Sequence, residues 1–449
     1  MIERRALRPI FPAIWLSARA VWLLLALSLV LALASVVPAL LYAVYGGAAL
    51  LLALLAADAA SGPAPARLRV ERLPLGFIAL RRPGHIVYAV ENGAAIPIRL
   101  GLIEAPLPTL DLERDVLEAR VAARSRATLS LAFLPRERGP LAFGKLYLWV
   151  ENRIGLLRRR YAVDARQNAR VFPDLAAVEG YGRLARRNTL LEAGLRKLRL
   201  RGVGSEFESL REYLPGDAFR SVDWKATARR GRMMVAQYEV ERSQQVLVVF
   251  DCGRLMTPRI GAQRKFDYAL TAGLSVARVA QSADDQVGLL AFAAQPLLSI
   301  APRRGAAHYH ALAQAAYDLQ PRLEEPDYET VFSRLKQRYT KRSLIVLFTD
   351  MFDPVASAAV LGGLARLTTR HLVMCVLMND RAIASALDVE PRTVSAAYRT
   401  SVAMTLADER ARAIATLRAG GVIVIDRPAP ALNVAILDAY LDVKARGLL

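Results

Sequence analysis

Three residue patterns follow one another along the chain and predict a multidomain fold: an N-terminal transmembrane helical hairpin, a β-sandwich and a C-terminal α/β doubly wound domain. Residues 20–37 and 39–57 are uncharged apolar segments separated by Pro38. From residue 67 to about residue 164, short alternating runs recur between turn residues, as strands of a sandwich do. From residue 245, continuous apolar runs such as VLVVF, LIVLF and VIVI alternate with helical patterns, as in a parallel sheet buried on both faces. The boundaries fall at 1–62 for the anchor, 63–165 for the sandwich, 166–244 for a connecting segment, 245–427 for the α/β domain and 428–449 for a C-terminal helix.

The anchor follows from length and charge. Mean hydropathy is +0.24, and the excess sits at the front of the chain. Each apolar segment comes close to the ~20 residues a helix needs to cross a bilayer core. Arg4, Arg5, Arg8 and Arg19 precede the pair, and Arg67, Arg69 and Arg72 follow it. Basic flanks stay on the cytoplasmic side, which predicts a multi-pass protein of the cytoplasmic (inner) membrane with its soluble domains facing the cytoplasm. A cleaved signal peptide also sets basic residues before an apolar stretch, but here a second apolar segment follows at once.

The net charge of +20 fits either nucleic acid or the anionic leaflet of a membrane. Arginines run from Arg4 to Arg446 without an aromatic-studded basic stripe. With residues 20–57 in the lipid bilayer, the membrane surface is the simpler partner and no nucleic acid is expected; a basic nucleic-acid-binding protein stays as an alternative.

In the sandwich, strands are predicted at 85–90, 96–103, 127–134 and 141–150, a set of immunoglobulin-like size. No His/Cys cluster or carboxylate pair with a recognisable setting occurs there, so a spacer or docking role is expected. The connecting segment carries Arg183, Arg186, Arg187, Arg196, Lys197, Arg199 and Arg201, a run that reads as a solvated or membrane-facing basic face. In the α/β domain, strands are predicted at 246–250, 286–292, 343–348, 372–377 and 422–425. Helices are predicted at 265–280, 308–319, 330–338 and 406–418.

Between the basic run and the first apolar strand, charged and aromatic residues interleave in GSEFESLREYLPGDAFRSVDWKATAR. This stretch resembles the hallmark GSEF-x-x-LR-x-Y-x-x-GD-x-x-R-x-x-DW-K-x-(T/S)-AR of the bacterial domain of unknown function fifty-eight family. The resemblance extends over nearly the whole chain, with Arg138-Gly139 and Gly155-Leu156 at the places of the family's RG and GL pairs. It implies membrane anchoring, a von Willebrand factor A-like C-terminal domain and partnership with a MoxR-type AAA+ ATPase. Glu206, Arg211, Tyr213, Asp217, Arg220, Asp223, Trp224, Lys225 and Arg229 then form either a partner-docking surface or an internal ion-pair network.

The same resemblance implies a metal-ion-dependent adhesion site in degenerate form. By position, Asp251 matches the first acid, Thr330 the threonine and Asp350 the last acid. Gly253 and Leu255 stand where two serines belong, and neither side chain carries an oxygen. Asp353 or water would have to complete the oxygen set that a hard cation such as Mg2+ requires. In the alternative reading, Asp251 and Asp350 accept backbone N–H groups, or pair with Arg254 or an arginine of the hallmark, as architecture. The von Willebrand-type strand order would also separate the strands of Cys252 and Cys375, so no disulfide is expected between them.

Other chemistry is sparse. Gly202-Val203-Gly204 lacks the third glycine of a dinucleotide loop, and no GxxxxGK[ST] occurs,. His308 and His310 are two apart and diverge on a helix. No Ser/His/Asp or Cys/His set assembles. The expectation is a non-enzymatic, membrane-anchored adaptor or scaffold mediating protein–protein interaction. The enzymatic alternative is a metal-dependent phosphohydrolase built on Asp251 and Asp350.

Overall fold

The computed structural model describes residues 8–62, 64–174, 206–215, 217, 219–239, 244–351, 354–379, 381–388 and 392–448. Asp353, Gly204 and the basic run from Arg183 to Arg201 lie outside the described residues, as do the side chains of Glu206 and Arg220. The chain divides into two compact units, Met1–Phe172 and Pro173–Leu449.

In the first unit, the helices Ala18–Ala34 and Leu40–Ala60 follow the apolar segments. Leu40–Ser61 is long and apolar enough to cross a membrane; Ala18–Ala34, with 17 residues, is shorter. Trp22, Leu29, Tyr42 and Tyr45 are each at least 70% exposed. An apolar surface of this kind is costly in water and at home in lipid.

The sandwich uses a strand the sequence pattern leaves out. Arg8–Leu16, ahead of the hairpin, pairs antiparallel with Leu157–Val163 at the edge of a five-stranded sheet. Pro9 and Pro12 hide this strand in sequence, and an edge with a register shift is where prolines are tolerated,. The predicted run 141–150 is two strands, Gly139–Phe143 and Leu146–Glu151, in different sheets. Facing residues of the sheets share one core that includes Leu80, Ile86, Leu100, Leu146 and Val150. Within it, Arg72 pairs with Glu104, which also accepts from the Tyr88 hydroxyl at 2.7 Å.

Both ends of the helical hairpin are tied to one sandwich turn. Asp58, fully buried, accepts the N–H groups of Ile154, Leu156 and Leu157 at 2.7, 2.9 and 2.7 Å. Ser17, which caps the first helix, donates its hydroxyl to the Gly155 carbonyl at 2.6 Å. Gly155 has φ +82°, a conformation that only glycine adopts freely, and the Arg19 guanidinium lies where its Cβ would point,.

In the second unit, Glu206–Glu212 and Met234–Glu239 form an antiparallel ribbon interrupted by the helix Trp224–Arg230. The α/β sheet follows, its strands numbered within this unit: β1 Gln245–Asp251, β2 Gln286–Phe292, β3 Pro296–Arg303, β4 Leu344–Phe348, β5 Leu372–Asn379 and β6 Ile423–Pro428. Their order is β3-β2-β1-β4-β5-β6, parallel except for the β3 edge. The longer helices are α1 Lys265–Ser282, α2 Ala306–Ala316, α3 Tyr328–Arg338, α4 Pro354–Thr368, α5 Val394–Ala419 and α6 Leu432–Arg446. Val246, Val248 and Phe250 face α1, α2 and α6, while Leu247 and Val249 face α3, α4 and α5. That two-sided burial is why β1 reads as an unbroken apolar run. Cys252 and Cys375 are buried and form no disulfide; burial pushes the Cys375 thiol up to about 12.

Candidate functional site

The sheet reverses its winding between β1 and β4, and open α/β sheets place ligands beyond the carboxyl ends of such strands,. Asp251 is the last residue of β1, and Thr349 and Asp350 directly follow β4. All three are essentially inaccessible to solvent.

Asp251 is held by its own surroundings. One carboxylate oxygen accepts the Gly253 N–H at 2.7 Å. The other accepts the Tyr328 hydroxyl at 2.6 Å and the Thr349 hydroxyl at 2.7 Å. Burial pushes the Asp251 carboxyl and the Tyr328 phenol upward, because each loses the water that would stabilise its charged form,.

Asp350 is held by cations of the chain itself. Its Oδ2 lies 2.7 Å from Nζ of Lys265, at the start of α1, and its Oδ1 lies 2.7 Å from Nη1 of Arg410 on α5. Oδ1 also accepts the Met351 N–H at 2.9 Å. Arg410 donates further to the Met351 and Met378 carbonyls and to Asp426 on β6. These charges share a site closed to water, so their attraction is little screened.

These residues do not fit a divalent cation. Such an ion needs several oxygens with free lone pairs, whereas both carboxylates are already engaged by the chain's own donors. At Gly253, the ring of Pro326 comes within 2.7 Å of where a Cβ would stand, so a serine has no room there. The Thr330 N–H is bound by Asp327, the cap of α3, at 3.0 Å, and Asp251 takes its hydroxyl contacts from Tyr328 and Thr349. No group of three or more His, Cys, Asp or Glu is placed to hold a metal among the described residues.

The hallmark residues form a second candidate site. Arg211 binds Asp217 with two nitrogens, at 2.7 and 2.6 Å, and Asp217 also accepts the Leu214 N–H at 2.9 Å. Arg211 and that N–H hold the Asp217 carboxyl below the usual range. Asp223 caps the helix Trp224–Arg230 by accepting the Ala226 N–H at 2.9 Å, and Gly231 ends it with φ +68°,.

This scaffold leaves large apolar side chains outside. Leu214, Phe219 and Trp224 are 60%, 64% and 59% exposed. The Phe219 ring lies 5.7 Å from that of Trp224 and 6.5 Å from that of Tyr213. Lys225 and Arg229 follow Trp224 on the helix and make no ion pair among the described residues. Glu206 pairs with Glu239 in the ribbon register.

Lys265, Thr349, Tyr328, Arg410 and Asp426 escape sequence inspection. Tyr328 lies two residues before Thr330, and Lys265 opens a predicted helix. Nothing local marks either as buried or names its partner.

Residues 209–413 match the family described as Protein of unknown function DUF58, a span that covers most of the ribbon and the α/β sheet as far as α5. An uncharacterized protein of Mycobacterium tuberculosis is 25% identical over 225 residues, which cover 49% of this chain and 70% of that protein. The uncharacterized protein YeaD of Bacillus subtilis is 42% identical over 43 residues, 10% of this chain and 11% of that protein. Among solved structures, the PapD-like domain 7 of human CEP192 aligns at a TM-score of 0.19 and 10% identity, over 23% of this chain and 84% of that domain.

Proposed function

We propose that this chain is a membrane-anchored adaptor that docks a protein partner through its hallmark ribbon and performs no chemistry of its own. The observation that carries this reading is the exposed apolar group of Leu214, Phe219 and Trp224, with the Phe219 and Trp224 rings 5.7 Å apart, held out into solvent on a segment braced by Arg211–Asp217. Exposed Trp and Phe are among the residue types enriched at protein interfaces. In the α/β unit, by contrast, the acids at the strand ends are buried and engaged by the chain's own donors, which argues against a phosphohydrolase.

In this proposal both apolar helices enter the membrane and the soluble units face the cytoplasm, as the basic flanks require. The strand order, with an antiparallel β3 edge, supports a von Willebrand factor A-like reading of the α/β unit. The partner proposed from the hallmark's resemblance is a MoxR-type AAA+ ATPase.

The test is affinity isolation of the tagged full-length protein from mildly solubilised native membranes, with ATP or a slowly hydrolysed analogue. A Phe219→Ala/Trp224→Ala variant runs in parallel, with its melting curve as a folding control. An AAA+ ATPase retained by the wild type and lost by the folded variant is the expected result. Equal retention would remove the ribbon from the interface, and recovery of no ATPase under any nucleotide would sink the partner assignment.

A further inference from the structure

Beside the turn that receives the helical hairpin, the sandwich has an open cleft of about 530 Å3 whose lining includes Arg19, Arg99, Glu118, Arg120, Glu151 and Arg153. Its charges do not balance. Arg99 bonds Glu118 at 2.8 Å and lies 3.7 Å from Glu151, while Glu151 also binds Arg158 at 2.8 Å. Arg19, Arg120 and Arg153 have no carboxylate partner among the described residues. Arg99 and Arg120 stand directly opposite each other in the antiparallel pair of Ile98–Glu104 with Leu117–Val121. Like charges in that position repel, and the Glu118 carboxylate on Arg99 offsets only part of the positive charge gathered there.

The location identifies the kind of anion. Arg19 is the second residue of the first apolar helix, and Asn152 in the cleft wall donates to the Asp58 carbonyl near the end of the second. Trp15, half exposed, lies just before the hairpin with the Arg160 guanidinium 4.9 Å from its ring centre. Trp and Arg at the mouth of an apolar helix pair are the side chains that settle at the headgroup level of a bilayer. Guanidinium groups bind phosphate oxygens in a matching planar geometry.

We propose that this cleft binds the phosphate of an anionic lipid headgroup, with Arg19, Arg120 and Arg153 as donors. This inference rests on the membrane half of the proposed function and is independent of any protein partner. Lipid bound here would fix the depth of the hairpin and balance the charge of Arg19, Arg120 and Arg153.

The test reconstitutes the full-length chain in phosphatidylcholine vesicles, with or without a minority of phosphatidylglycerol. Integration is read by resistance to alkaline extraction, and lipid retained after gentle solubilisation is read by mass spectrometry. An Arg19→Gln/Arg120→Gln/Arg153→Gln variant is compared with a charge-matched control, Arg114→Gln/Arg126→Gln/Arg136→Gln, both checked for unchanged melting. The wild type and the control should retain phosphatidylglycerol roughly tenfold over phosphatidylcholine, and the cleft variant should lose that preference, given how strongly basic groups favour anionic headgroups.

An equal loss in both variants would mean diffuse charge attraction and overturn the site. Integration into pure phosphatidylcholine with no phosphatidylglycerol preference would overturn the cleft while leaving the anchor standing. Failure to integrate into either vesicle would overturn the anchor and the cleft together. Inorganic phosphate bound in detergent, without any lipid preference, would assign the site to free phosphate and overturn the lipid source.

Discussion

Nζ of Lys265 lies 2.7 Å from Oδ2 of Asp350, with both side chains closed to solvent. The acid just beyond the β4 strand is thus answered by a cation from the first turn of α1, and on its other oxygen by Arg410. The chain supplies internally the positive charge that a metal ion would bring to such a strand end.

Replacing Lys265 with Met removes one of the two cations at Asp350. Breaking a buried pair from one side costs about 3–5 kcal/mol, so urea unfolding of the detergent-solubilised protein should show a loss of that order. The double change Lys265→Met/Asp350→Asn should recover part of it. Magnesium and EDTA should leave the melting temperature of the wild type unmoved. A magnesium-dependent rise would restore a metal to this site.

Asp58 joins the helical hairpin to the sandwich through three N–H groups, so it acts on the stability of the whole first unit. Hydrogen bonds to a charged group contribute about 1.5–3 kcal/mol each, with partial compensation by water. Asp58→Ala should therefore destabilise by about 2–4 kcal/mol, while Asp111→Ala, on an exposed ion pair, should have little effect. Gly155→Ala should resemble Asp58→Ala in direction, because its φ of +82° and the nearby Arg19 both oppose a Cβ. Thermal melts of the three variants check the ranking.

His371 is buried where β5 begins, and burial together with the Arg370 charge pushes its pKa down. The unfolded chain then takes up a proton at a higher pH than the native one does. Stability is full above the unfolded value of about 6.5 and falls as pH drops from there towards the lowered native value. Wild-type stability should decline between neutral and mildly acid pH, and His371→Leu should flatten that part of the profile. A decline of the same size in the variant would assign it to another group.

Several elements were legible because their cause is local. β2 lies at 286–292, as its apolar run indicates, and α1 extends two residues past its predicted end. The end of α5 was legible, but its first half was not: residues from Val394 to Thr405 are largely exposed and lack a periodic apolar face. β3, with Pro296 and Pro302 on a partly exposed antiparallel edge, carries neither the apolar run of a buried strand nor an obvious turn signal. The strand Arg8–Leu16 was hidden by its prolines and by the hairpin between it and the rest of the sandwich.

The candidate site divides in the same way. Asp251 and Asp350 could be placed at strand ends because each terminates an apolar run. Lys265 is 85 residues from Asp350 and Arg410 is 60, and no spacing along the chain ties such residues together. Among the hallmark residues, the Asp223 cap is a local event three residues long. The outward aspect of Phe219 and Trp224 depends on which faces the ribbon covers.

The positions of the apolar segments, their lengths and their alternation can be read along the chain. Those properties depend on near neighbours, and burial of each run contributes nearly independently of the rest. Tertiary structure alone decided that Asp58 receives the 152–157 turn, that Lys265 and Arg410 neutralise Asp350, and that Arg99 faces Arg120. The energy of a buried charge depends on distance and solvent exclusion, and both arise only once segments far apart in the chain have packed together.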